Sequence, residues 1–327
     1  MTPNVVDQTE GHNWALYNGD STEVLQGIPT DSIDLSVYSP PFSHLYTYSA
    51  SERDLGNSAD DDTFFQHYAY IIGEMLRVTK PGRLSAVHVA QIPLQKARDG
   101  VIGLKDFRGD VIRAHQAAGW IYHGEAVVQK SAQSQAIRTK SKALLFIQVH
   151  KDSSWSRPAL ADYILLFRKP GLNVVPIQPD ITNDQWIEWA HPIWTVDTTF
   201  VDKELAGGSV FDLAPGTPLL WFGIRESDTL NIAEARSDDD ERHIAPLQLE
   251  AIRRCIQLWS NPGETVLSCF AGIGSEIYQA IKLGRKGVGV ELKSEYFKVA
   301  VKNCRQAETL MRVPTLMDRL TEVQSAS

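Results

Sequence analysis

The feature that most constrains this chain lies near its C-terminal end. Thr265-Val266-Leu267 reads as a short strand, and Ser268-Cys269-Phe270-Ala271-Gly272-Ile273-Gly274-Ser275 leads from it into a helix beginning at Glu276. A second strand, Lys286-Gly287-Val288-Gly289-Val290, then ends on Glu291. Strand, helix and strand in this order make a parallel pair with a crossover helix. Glycines at the first strand-to-helix turn let a ligand approach the backbone beside a helix N-terminus. An acid at the end of the second strand can accept hydrogen bonds from both ribose hydroxyls of a nucleoside. A GxG turn alone would be an ordinary tight turn; the whole unit points to an adenosine-containing cofactor.

The rest of the chain repeats the alternation. Strand-like runs occur at Trp14–Asn18, Ile33–Tyr38, Arg83–Ala90, Ile121–Gln129 and Tyr163–Arg168. With the two C-terminal runs, Thr265–Phe270 and Lys286–Leu292, they make seven. Apolar residues at helical spacing mark helices over Asp62–Thr79, Phe107–Gly119, Leu247–Trp259, Glu276–Leu283 and Ser294–Glu308. An α/β fold is expected, with a mostly parallel sheet of seven strands and helices on both faces. With 43% hydrophobic residues in 327 there is ample material for a core. Ala143–Val149 and Tyr163–Phe167 are strand-length apolar runs, far short of a membrane span. The opening MTPNVVDQTEGHN carries acids where a secretory leader would be apolar, so a cytoplasmic, nucleoid-associated protein is expected.

Two regions break the alternation. Ser43–Asp61 has no apolar periodicity but holds His44, Tyr46, Tyr48, Glu52 and Arg53. Gly171–Arg242 starts Pro/Asn-rich and then scatters Trp186, Trp189, Trp194 and Trp221 among polar residues, as an inserted unit would. Charge is uneven too. The net charge is −8, yet Gln129–Pro170 has eight Lys/Arg against two acids, and Gly171–Ala245 has fourteen acids against four bases. Screening confines such fields to about 8–10 Å, so an acidic protein can still hold a polyanion on one basic stretch. A solvated basic face would read the same way.

The second chemical motif is Ser39-Pro40-Pro41-Phe42, directly after the strand Ile33–Tyr38. Two prolines cannot continue a strand ladder, so they form a stiff turn at the carboxyl edge of the sheet, where open α/β sheets bind ligands. A hydroxyl precedes it and an aromatic plane follows. Taken alone it could be a plain strand terminator.

Together the SPPF and FAGIG turns resemble the catalytic and cofactor motifs of S-adenosylmethionine-dependent DNA methyltransferases that modify exocyclic amino groups. The catalytic turn comes first here, as in the circularly permuted β group of that family. Asn18-Gly19-Asp20-Ser21 resembles the family's adenine-holding segment, and Arg77-Val78-Thr79-Lys80-Pro81-Gly82 its helix end before the next core strand. His243-Ile244-Ala245-Pro246-Leu247-Gln248 resembles the segment that closes over the methionine end. The resemblance covers roughly 12–130 and 243–308. It implies cofactor contacts from Asp20, Ser21, His243, Pro246, Ser268, Phe270, Ala271, Gly272, Gly274 and Glu291, and catalytic roles for Ser39, Pro40, Pro41 and Phe42. Two positions depart from the family pattern. Ser268 and Cys269 stand where many relatives have an acid and a proline. Ser39 stands where adenine-modifying members usually carry Asp, which points to N4 of cytosine, with N6 of adenine as the alternative.

The chemistry implied is direct transfer to an amine whose two N–H bonds are accepted by the Ser39 hydroxyl and the Pro40 carbonyl. The base must be flipped out of a locally opened duplex, with Phe42 stacking on it and Tyr46 or Tyr48 as a second wall; both tyrosines could equally be ordinary loop aromatics. Cys255, Cys269 and Cys304 follow Arg, Ser and Asn, so none matches the nucleophile of a C5-cytosine enzyme, and the histidines show no metal-ligand spacing. DNA contacts are expected from Tyr46, Tyr48, Arg53, Lys130, Arg138, Lys140, Lys142, Lys151 and Arg157, the basic ones chiefly to phosphate. The expected division is a catalytic domain over 1–170 and 243–308, an inserted target-recognition region over 171–242, and a C-terminal tail over 309–327. Trp186–Trp194 and Trp221–Asn231 are expected to read the target, or to form a small satellite core. A monomer or homodimer without metal fits a restriction-modification enzyme. The reading from another class is a DNA-binding relative whose cofactor pocket has decayed.

Overall fold

In the computed structural model, which describes residues 5–43, 54–94, 96–139, 141–195, 224, 227–231 and 246–312, the strands are, in chain order, β1 (Val5–Glu10), β2 (Trp14–Gly19), β3 (Ile33–Tyr38), β4 (Thr79–Ala90), β5 (Ile92–Leu94), β6 (Gly103–Lys105), β7 (Ile121–Val128), β8 (Asp162–Arg168), β9 (Ile193–Trp194), β10 (Thr265–Ser268) and β11 (Lys286–Glu291). Nine of them form one sheet in the order β1-β2-β11-β10-β3-β4-β8-β7-β9, and β5 pairs with β6 in a separate hairpin. The five strands β2, β11, β10, β3 and β4 run parallel; β8 is antiparallel to β4 and to β7.

All seven expected strands are present, and the sheet has two more. β1 is an antiparallel edge strand whose mostly exposed VVDQTE carries no buried face to betray it, and β9 is two residues long. β4 starts at Thr79 rather than Arg83, directly after the preceding helix. Ala143–Val149 is not a strand: Lys142–Leu144 is a 3-10 turn and Phe146–Lys151 a short helix with Phe146 77% exposed. A short apolar run does not reveal its own period.

From β3 the chain winds outward to β4, and from β10 it winds the other way to β11. The strand order therefore reverses between β10 and β3, whose pairing sets Val266 beside Leu35 and Leu267 beside Ser36. A crevice opens at such a reversal, beyond the carboxyl ends of the strands.

The two faces are set by alternation along the strands. Tyr38, Val87, Val89, Leu165 and Phe167 face the helix Asp61–Val78, packing against Phe64, Tyr68, Ile72 and Met75. Leu35, Val37, Ala86, Ile164 and Val266 face the helix Leu249–Trp259 through Ile252 and Ile256. Each large side chain so buried contributes roughly 1.5–3 kcal/mol. The Asp61–Val78 helix is capped by Asp60, whose carboxylate accepts the Thr63 N–H at 2.8 Å, and Asp61 and Asp62 in its first turn suit the helix dipole.

Residues 171–195 are sewn to this core. Trp189 and Trp194 are buried against the sheet, and β9 extends it. Arg254 pairs with Glu188 at 2.7 Å and lies over both indole rings. Fully buried Arg285 makes a two-pronged pair with Asp180 at 2.6 and 2.8 Å. These two tryptophans are core, not DNA readers, whereas Trp186 is exposed. Trp221 lies outside the described residues. The last helix, Ser294–Arg312, runs past the expected boundary at 308.

Candidate active site

The two chemical turns stand side by side because β3 and β10 are neighbours. Ser39-Pro40-Pro41-Phe42 leaves the end of β3; the Ser43 N–H closes back on the Pro41 carbonyl at 3.0 Å, with Ser43 at φ 54°. Phe42 is half-buried, its ring 5.8 Å from Phe107 and 6.1 Å from His88. Beneath the turn Tyr38, Tyr68 and His115 form a buried polar chain. The Tyr38 hydroxyl lies 3.2 Å from His115 Nε2, the Tyr68 hydroxyl donates to Tyr38 at 3.3 Å, and His115 Nδ1 is 2.8 Å from the Val111 carbonyl. Burial lowers His115 to about 4, so the ring is neutral. Donating Nδ1–H to Val111 leaves Nε2 to accept from Tyr38.

The glycine turn is held by its own acid. Glu291 accepts the Gly272 N–H at 2.7 Å through Oε2 and the Lys293 N–H at 2.8 Å through Oε1. Gly272 has φ 53°, and a Cβ there would point into open space; Gly274 has φ 83°, and a Cβ there would press on Ala300 at 3.0 Å. The first glycine leaves room for a ligand, while the second lets two helices approach. Asn18 donates to the Glu291 and Leu292 carbonyls at 2.8 and 3.0 Å, and Ser21 donates to the Cys269 carbonyl at 2.5 Å. Asp20 caps the next short helix by accepting the Thr22 N–H at 2.8 Å. The NGDS segment, the glycine turn and the strand-end acid are thus bonded into one wall.

Both turns line one cavity of about 1820 Å³. Of the expected residues, Asp20, Ser21, Ser39, Pro40, Pro41, Phe42, Pro246, Phe270, Ala271, Gly272 and Glu291 line it, with Lys130 and Arg157 on the wall formed by 130–162. Ser268 is fully buried and does not reach the cavity; its neighbour Cys269 does. Gly274 and Lys151 are not on the lining either. Lys130 is no free phosphate ligand: its ammonium is 2.6 Å from Asp162 and only 9% exposed. Tyr46, Tyr48, Arg53, Lys140 and His243 lie outside the described residues, as do the side chains of Arg138 and Lys142.

Sequence reasoning missed His88, Asp162 and Glu276, which also line the cavity. Burial raises Glu276 to about 8, with the Glu291 charge acting in the same direction. Burial likewise raises Glu291 to about 7, against the pull of the Lys293 and Gly272 N–H groups. The position of Glu276, two residues past Gly274, was the available signal. All three cysteine thiols are buried and pushed upward by it, so none is a ready thiolate.

The residues suit a nucleoside cofactor with a cationic end. Open space over Gly272 can take the backbone-hugging part, Glu291 and Asp20 offer acceptors, and Glu276 adds a carboxylate where Ser268 offers none. No helix among the described residues is long and apolar enough to cross a membrane.

The family model for DNA methylase, N6_N4_Mtase, matches residues 33–302. The type II methyltransferase M.BglI of Bacillus subtilis is 22% identical over 334 residues, covering 88% of this chain and 85% of its own. Among solved structures, the DNA modification methylase TTHA0409 of Thermus thermophilus, complexed with S-adenosyl-L-methionine, superposes with a TM-score of 0.62 at 19% identity, covering 91% of this chain and 94% of that one. The cytosine-N4-specific PvuII DNA methyltransferase gives 0.59 at 17% identity, with coverage of 92% and 90%.

Proposed function

Because the chain belongs to the N4-cytosine/N6-adenine DNA methylase family of S-adenosylmethionine-dependent enzymes, we propose that it methylates N4 of a cytosine extruded from double-stranded DNA. The observation that carries the reading is the placement of Ser39 at the rim of the cavity that the glycine turn and Glu291 also line. S-adenosylmethionine supplies, when bound, an electrophilic methyl group. The chain's own residues do the rest. An aromatic amine is a poor nucleophile because its lone pair is delocalised into the ring. Accepting its two N–H bonds at the Ser39 hydroxyl and the Pro40 carbonyl favours a tetrahedral nitrogen with that pair freed. The diproline turn keeps both acceptors stiff, so positioning supplies much of the rate. Phe42 stacks on the flipped base.

Ser39 in place of an acid favours cytosine, since a hydroxyl both accepts and donates. We assign target reading to the inserted region 171–242, with 171–195 as its anchored root, and phosphate contacts to the 130–162 wall, including Arg157. With double-stranded DNA as its substrate, the enzyme works on the chromosome. Nucleoside mass spectrometry of DNA treated with the protein and S-adenosylmethionine tests this. N4-methylcytosine is the expected product; N6-methyladenine would move the target base, and neither product would overturn the reading.

A further inference from the structure

Ser39 Oγ lies 3.0 Å from Nδ1 of His88 and 3.3 Å from the His88 carbonyl oxygen. The other ring nitrogen, Nε2, is 3.2 Å from the Asp162 carboxylate at the start of β8, and the same carboxylate holds Lys130 Nζ at 2.6 Å. β4 and β8 are antiparallel neighbours, with His88 paired to Ile164 and Ala90 to Asp162, so the chain Ser39–His88–Asp162–Lys130 crosses three strand ends. The His88, Asp162 and Lys130 side chains are 11%, 15% and 9% exposed. Burial works to raise Asp162, but the His88 contact and the Lys130 ammonium outweigh it and bring it down to about 2. A shielded ion pair of this kind is weak evidence for stability and invites a specific role.

We propose that His88, held by Asp162 and Lys130, is a positioning residue that aims the Ser39 hydroxyl and takes up the proton released by methylation. The proposal rests on the methyltransferase reading above. A carboxylate facing Nε2 keeps hydrogen on that nitrogen and leaves the Nδ1 lone pair toward Ser39. The single hydroxyl hydrogen of Ser39 then points at Nδ1, and its oxygen lone pairs are left to accept the amine N–H. Without that partner the hydroxyl can turn its hydrogen toward the base. As the N–C bond forms, the S–C bond breaks with its electron pair going to sulfur, and the amine becomes cationic. It passes one N–H proton to Ser39 Oγ while the Ser39 hydrogen moves to His88 Nδ1. The imidazolium faces Asp162 and later gives its proton to water, so Ser39 ends unchanged. The charged groups facing the ring, among the described residues, are Asp162 and Lys130; Phe42 lies on its other side.

The test combines ring NMR with single-turnover methyl transfer. Two-bond proton–nitrogen correlations in the wild-type protein are expected to show His88 as the Nε2–H tautomer, and Asp162→Asn to mix the tautomers. His88→Phe is expected to lower the single-turnover rate about 100-fold and Asp162→Asn about tenfold, with S-adenosylhomocysteine affinity within about twofold of wild type. His88→Asn, which restores an acceptor near the Nδ1 position but no base, should recover part of the loss. A wild-type rate in His88→Phe, or hydrogen found on Nδ1 in the wild-type ring, overturns the proposal. If the wild-type protein methylates no DNA, the functional reading fails instead, and the tautomer still decides whether the chain of contacts is set as described.

Discussion

Glu291 reaches back from the end of β11 to accept the Gly272 N–H at 2.7 Å, so the strand-end acid and the glycine turn are one rigid unit. Glu291→Gln keeps the size but turns an N–H donor toward a backbone N–H and weakens the ribose acceptor. A loss of about 10- to 100-fold in S-adenosylhomocysteine affinity is expected, in line with a hydrogen bond to a charged group. Calorimetry reads it directly; an unchanged affinity would detach Glu291 from the cofactor.

Glu276 and Glu291 make cofactor binding depend on pH. Burial raises them to about 8 and about 7, so in the free protein both are largely protonated on the acid side of neutrality. Ribose hydroxyls and a sulfonium favour the ionised forms, so binding releases protons and affinity should rise as pH passes through 7 to 8. Folding runs the other way. A group raised in the folded state stabilises it below its unfolded value, and that stability is lost as pH climbs through the folded value. Glu276→Gln should therefore melt higher than wild type at pH 9, by about 3 °C or more, and close to it at acid pH. Calorimetric titrations and melts across this range check both signs; a flat affinity profile would contradict the first.

Arg157 lines the cavity from the basic 130–162 wall, and a phosphate contact there has a thermodynamic signature. Arg157→Ala should weaken DNA binding on every sequence alike and reduce the slope of log affinity against log salt by about one. Lys130→Ala should behave differently, because it strips Asp162 of its partner rather than DNA of a counter-charge. Fluorescence anisotropy over a salt series separates the two; an unchanged slope for Arg157→Ala removes it from the DNA.

Tyr38 supports the catalytic turn from below. Tyr38→Phe leaves His115 Nε2, buried and stacked on Phe167 with ring centroids 4.0 Å apart, without its donor. Chemical denaturation should show a loss of roughly 1–3 kcal/mol. A variant as stable as wild type would mean that the chain of hydroxyls contributes nothing.

Much of the fold and the heart of the site were legible because they rest on local chemistry. Pro40-Pro41 must end β3, Gly272 must turn β10 into a helix, and the alternation of strands and helices places both turns at one edge. What was not legible depends on partners distant in sequence. Lys130 reads as part of a basic face, but Asp162, thirty-two residues on, buries it. Trp189 and Trp194 read as an inserted unit's own aromatics, yet Arg254 and the sheet enclose them. His88 sits inside an ordinary apolar strand, and only the pairing of β3, β4 and β8 brings it between Ser39 and Asp162.

The central claim is that Ser39, on its diproline corner, accepts an N–H of the target amine beside the bound methyl donor. Single-turnover methyl transfer by Ser39→Ala, at saturating DNA and S-adenosylmethionine, tests it most directly. The rate is expected to fall by about 100-fold or more, with S-adenosylhomocysteine affinity unchanged on the same preparation. A Ser39→Ala protein that methylates DNA at the wild-type rate would contradict it.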